Sequence, residues 1–93
     1  MFVGACQLEL FIHASGSLKE KRFVVKSIKD KVKNKFNVAI AEVDHLDKWQ
    51  LASLGITTVT NDQKIIENTF SEIVKLIESR GDVEVLNRSM TIY

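Results

Sequence analysis

The chain has 93 residues, 45% of them apolar and 27% charged, with one cysteine and no proline. That length holds one hydrophobic core, so residues 1–93 are expected to form a single domain, and the balance excludes a disordered or fibrous chain. No apolar run approaches the ~20 residues needed to cross a bilayer, and the lone Cys6 cannot close an internal disulfide, so a reducing, cytoplasmic setting is expected.

Residues 2–13 alternate. Phe2, Gly4, Cys6, Leu8, Leu10 and Ile12 make an apolar face, while Val3, Ala5, Gln7, Glu9, Phe11 and His13 make a mixed one. This predicts a strand in a sheet covered on one side only. Cys6 reads as a buried, inert thiol, with no neighbouring base to activate it. The segment lacks a basic n-region and is interrupted by Gln7 and Glu9, unlike a signal peptide. His13, at the strand end, reads as a surface residue.

Ala14-Ser15-Gly16 breaks the strand, and Ser17-Leu18-Lys19-Glu20 has the form of a capping box. The Ser17 hydroxyl is expected to accept from the Glu20 amide, and the Glu20 carboxylate to reach back to the Ser17 amide. Leu18, Val25, Ile28, Val32 and Phe36 follow at helical spacing as one apolar stripe. Asn34 or Asn37 is the expected left-handed stop.

This helix also concentrates the charge. Lys19, Lys21, Arg22, Lys26, Lys29, Lys31, Lys33 and Lys35 face only Glu20 and Asp30 there, so residues 17–36 carry +6 and the remainder −5, for a net +1. At 100° per residue, Lys19, Arg22, Lys26, Lys29 and Lys33 fall within about one quadrant, beside the apolar stripe. Their spacing of about 5–6 Å approximates that of phosphates along a strand. Such a stripe is commonly a solvated face. The alternatives are a nucleic-acid surface, RNA above all, and a surface for acidic proteins.

Val38–Asp44 and Trp49–Thr60 are β-like, and the turn His45–Lys48 between them is too short for a parallel crossover, so they form a hairpin. In the first of these strands both Val38/Ile40 and Ala39/Ala41/Val43 can face the helices, which leaves the faces of Glu42 and Asp44 open. Glu42, Asp44, His45 and Asp47 are potential ligands or acid–base groups, with Trp49 beside them. Their spacing matches neither an EF-hand nor a zinc signature, and turn aspartates commonly serve local backbone hydrogen bonds. Trp49 is expected to pack over the hairpin base with its indole N–H bonded.

Asn61-Asp62 opens a second helix whose predicted buried face is Ile65, Ile66, Phe70, Ile73, Val74 and Ile77. Arg80-Gly81 ends it with a glycine C′, and Val83–Tyr93 is a last β segment. Two one-faced helices and one-faced strands solve their burial problem as a two-layer α+β sandwich. Right-handed crossovers then give a ferredoxin-like βαββαβ fold, antiparallel sheet order 4-1-3-2, both helices on one face. The other sheet face exposes Phe11, Val59 and Leu51, which invites a dimer or a ligand. It lacks the stacking aromatics of an RNA-recognition motif, and Gln7 and Glu9 lie on it, so nucleic acid would lie along the helices. No glycine-rich phosphate loop or catalytic triad is present, and no metal or other cofactor is expected.

Three blocks, Ser17-Leu18-Lys19-Glu20-Lys21-Arg22, Phe36-Asn37-Val38-Ala39-Ile40-Ala41-Glu42-Val43-Asp44 and Asp47-Lys48-Trp49-Gln50, resemble the signature blocks of the YlxP-like family of uncharacterised bacterial proteins. The resemblance runs from the first strand to the last helix. It implies a ferredoxin-like fold and no established activity or catalytic residues. Family genes often neighbour translation and ribosome-maturation genes, which implies RNA or ribosome association. The leading expectation is a non-enzymatic module bound to RNA or the ribosome through Lys19, Arg22, Lys26, Lys29 and Lys33. A homodimeric interaction module on the open sheet face is the alternative, and a small-ligand or metal-dependent enzyme at residues 42–49 is the third.

Overall fold

Strict alternation makes residues 2–12 a strand, β1 (Phe2–Ile12). In a computed structural model describing residues 1–93, α1 (Leu18–Lys35), β2 (Ala39–Asp44), β3 (Leu51–Thr60), α2 (Gln63–Glu78) and β4 (Val83–Ile92) follow. The sheet is antiparallel throughout in the order β2-β3-β1-β4, the expected order read from the other edge. No helix is long and apolar enough to cross a membrane.

The core lies between one sheet face and the two helices. From β1 it takes Cys6, Leu8, Leu10 and Ile12; from α1 Val25, Ile28 and Val32; from α2 Ile66, Phe70, Ile73 and Ile77. Each fully buried Leu or Ile contributes about 1.5–3 kcal/mol of transfer free energy. Burial pushes the Cys6 thiol above its ordinary value, against a smaller opposing effect of Arg88, so the thiol stays protonated and inert. α1 packs toward β2, and α2 packs toward β4.

Helix ends depart from expectation in detail. The Ser17 hydroxyl accepts from the Glu20 amide at 3.1 Å, but the Glu20 carboxylate reaches the amide of Gly16, at 2.7 Å, rather than that of Ser17. Neither Asn34 nor Asn37 is left-handed: α1 stops at Phe36, which turns extended at φ −127°. The chain leaves directly into β2, so no reversal is needed there. In α2, Asp62 caps by accepting from the Lys64 amide. Gly81 takes φ +80°, two residues past the cap Ser79 rather than next to it. Ile65 is half exposed, because Ile66 already fills the core position on that turn.

At the α2–β4 turn, Arg80 donates to both Asp82 carboxylate oxygens, at 3.0 and 3.2 Å, and to the Ser27 hydroxyl of α1 at 2.9 Å. These bonds hold the Asp82 carboxyl below its ordinary value and clamp the two helices together.

Gly4 has a steric role. A Cβ there would collide with Ile66 Cγ2 and come within 3.2 Å of Phe70 Cε2. Glycine at this point lets α2 settle against β1. Gly4→Ala should cost about 1–3 kcal/mol, as for other overpacked cores. The expected reading is a lower urea midpoint with an unchanged slope.

Candidate nucleic-acid interface

Residues on α1 that fall at the spacing of Val25, Ile28 and Val32 point into the molecule, and Lys21 is one of them. It lies four residues before Val25 and has no exposed surface. Its ammonium donates to the carbonyl oxygens of His45 at 2.7 Å and Leu51 at 3.1 Å, and stands 2.8 Å from Glu42 Oε2. The two carbonyls take two of its three N–H groups, and the Glu42 carboxylate supplies the opposite charge. The Glu42 side chain is 11% exposed, and its buried Oε2 makes no well-angled hydrogen bond, so the charge of Lys21 is its compensation.

This arrangement settles the strand that sequence left open. Ile40 is buried and Glu42 points with it toward the helices, while Ala39, Ala41 and Val43 lie on the open face. At the end of β2 a register shift carries Asp44 opposite Ser53. His45 sits at φ 61°, uncommon for a residue with a side chain, and this turns its carbonyl onto Lys21.

The candidate ligand residues of the hairpin do not converge. Glu42 belongs to Lys21, and Asp44 accepts from the His45 amide at 2.7 Å. His45 Nε2 approaches Glu9 Oε2 at 3.4 Å on the opposite face of the sheet. Glu9 in turn accepts from the Ser53 hydroxyl at 2.8 Å and from Gln7 at 3.2 Å. Asp47 is exposed, and so is Trp49, whose indole N–H meets no protein acceptor. The expected packing of Trp49 over the hairpin base is therefore not found, because β3 begins only at Leu51 and leaves the ring out on the turn. No three His, Cys, Asp or Glu side chains are grouped as metal ligands.

The basic stripe does form one surface. Lys19, Arg22, Lys26 and Lys33 are exposed and Lys29 is partly buried. Ser27, on the other flank of α1, meets Arg80 just beyond α2, so the stripe lies on the flank away from α2. Only Lys26 is paired, with Asp30 at 3.0 Å, and both partners are well exposed. Such a pair is worth little and exchanges readily for another anion. Beside the stripe stands Phe23, 69% exposed. With Lys19, Arg22 and Lys26 it frames a shallow hollow of about 210 Å³.

Sequence reading missed Lys21 and Phe23, though each left a signal. Lys21 is a cation at core spacing, and Phe23 is an aromatic at solvent spacing.

Removing Lys21 strands Glu42. Lys21→Met should cost about 3–5 kcal/mol, the range for a buried pair losing one partner. Lys21→Met/Glu42→Leu should recover the share due to the carboxylate and leave the deficit of two unpaired carbonyls. Arg22→Met, one residue away and exposed, should change stability by less than about 0.5 kcal/mol. Urea unfolding of the four proteins checks this ordering.

Among solved structures, a de novo designed protein with ferredoxin fold superposes with TM-score 0.60 at 16% identity, covering all of this chain and 84% of its own. The designed protein Foldit4 gives 0.57 at 16% identity, covering 100% and 97%. At these identities the likeness concerns the fold. By sequence, the chain is 39% identical over 82 residues to the "Uncharacterized protein YlxP" of Bacillus subtilis (strain 168), which spans 88% of this chain and 89% of that one. The family described as "Protein of unknown function (DUF503)" matches residues 3–90, and the chain belongs to that family.

Proposed function

We propose that the protein is a non-enzymatic RNA-binding module that holds RNA, free or within the ribosome, along the outer flank of α1. The observation that carries this reading is the unpaired state of the stripe. Lys19, Arg22, Lys29 and Lys33 have no carboxylate partner, and Lys26 has only the exposed Asp30. Four unneutralised cations on one rigid helix make a positive potential that an acid-rich neighbourhood would have quenched. The sheet's outer face supports the same choice of side, since its charged residue at mid-strand is Glu9.

If all five side chains engage a single strand, the log–log salt dependence of binding has a slope of about −3 to −4. Reversing Lys26 and Lys29 together to Glu should abolish binding while leaving the fold intact, because neither contributes to the core. Electrophoretic mobility shift at two salt concentrations reads both effects. Retained affinity in the double reversal would sink the proposal.

A second reading, self-association through the open sheet face, is favoured by one feature. Ala5, Ala39, Ala41, Gly55 and Thr57 floor a hollow of about 580 Å³, with Val43 and Tyr93 among its walls. Its lining carries no charged side chain, so a second copy could meet it without like-charge repulsion. Val43→Lys should then shift a concentration-dependent sedimentation coefficient to that of a monomer; a strictly monomeric wild type at high concentration would remove this reading.

A further inference from the structure

We propose that Phe23 is a base-stacking platform at the margin of the α1 ridge, so that the preferred ligand is single-stranded rather than duplex RNA. This inference rests on the RNA reading above and gives it a substrate class.

Phe23 has no structural reason to be where it is. Nine residues before Val32, it points to the opposite side of the helix from that fully buried side chain. Only the terminal Met1 and Tyr93 are more exposed among large apolar side chains. It lies outside the core and the partly buried residues packed on it.

Its neighbours are what a stacked nucleotide needs. Lys19 is one turn before it, Lys26 one turn after, and Arg22 adjacent, so cations stand on both sides of the ring along the helix axis. At 1.5 Å rise per residue, Lys19 and Lys26 are about 10 Å apart along that axis, the reach of roughly two backbone steps of an extended strand. A base laid on the ring would place its flanking phosphates toward the two lysines. A duplex keeps its base faces buried in the stack, and only an unpaired strand can present one to a side chain. An acidic protein partner would need an apolar side chain set among its carboxylates to meet the ring, whereas a nucleotide strand supplies charge and a flat face at every step. Since a phenyl group makes no hydrogen bonds, the contact tolerates any base.

The test measures fluorescence anisotropy with a labelled 12-nucleotide single-stranded RNA and an RNA duplex of the same length. Phe23→Ala should lower single-strand affinity on the order of tenfold, the size of one lost stack, with the salt slope unchanged and duplex binding unaffected. Phe23→Trp should retain affinity, and in a Trp49→Phe background its emission should be quenched by the single strand. Full single-strand affinity in Phe23→Ala, with binding lost on reversing Lys26 and Lys29, would overturn the stacking role and leave the ridge standing. A wild type that binds neither RNA would overturn both. Loss of self-association on sedimentation of Phe23→Ala would make the ring a protein contact and overturn the stacking role.

Discussion

The buried ammonium of Lys21 is the constraint on which the rest of the arrangement depends. A charge without water contact survives only when its donors are satisfied and an opposite charge is close. Here those partners come from Glu42 on β2, from His45 in the turn and from Leu51 at the start of β3. One side chain on α1 therefore fixes both strands of the hairpin and the turn between them. Nonpolar packing between α1 and β2 is sparse, with Ile40 the only buried β2 residue in the core, so the ion pair supplies orientation that apolar contact alone would not. It also accounts for the left-handed His45. The conformation costs on the order of 1 kcal/mol or more and persists where surrounding contacts over-determine it.

Fixing α1 in this way also fixes what it presents. With Lys21, Val25, Ile28 and Val32 inward, rotation of the helix is set, and Arg22, Lys26 and Lys33 must stand outward. Arg80 reinforces the setting from the other flank through Ser27. The charged ridge is thus as rigid as the core behind it. A preorganised array loses less entropy on binding than the same lysines on a mobile loop would.

Much of this was legible in the sequence, and the illegible parts share a physical cause. Period-2 and period-3.6 patterns located all six elements, because each buries one face and the patterns of β1 and α2 are unambiguous. β2 was not assignable, because Ala39, Ala41 and Val43 are as apolar as Val38 and Ile40. What chose between the two faces was the Glu42 carboxylate seeking Lys21, a long-range pairing that local periodicity cannot contain. The basic stripe was readable as a helix face, but hydropathy treats every lysine alike. Lys21 was therefore counted only in the charge of its segment, although its spacing already placed it with Val25, Ile28 and Val32. Phe23 was overlooked for the converse reason, as an apolar residue where the stripe had no use for one. The hairpin acids failed to converge because side chains alternate across a strand, so that Glu42 and the Glu9–His45 contact fall on opposite faces of the sheet.

That alternation has a final consequence for the two proposed surfaces. In a two-layer sandwich the outward flank of α1 and the outer face of the sheet are separated by the whole core. The ridge is cationic, whereas the sheet hollow is lined by small and neutral residues. A polyanion on the first and a second copy on the second would share no residues and would not repel each other. Two chains joined through their sheets would then carry their α1 helices in the two outer layers of the assembly, with both sheets between them. No single short strand could span both ridges. Self-association would therefore raise affinity only for long or folded RNA, whose separate segments can reach both sides at once.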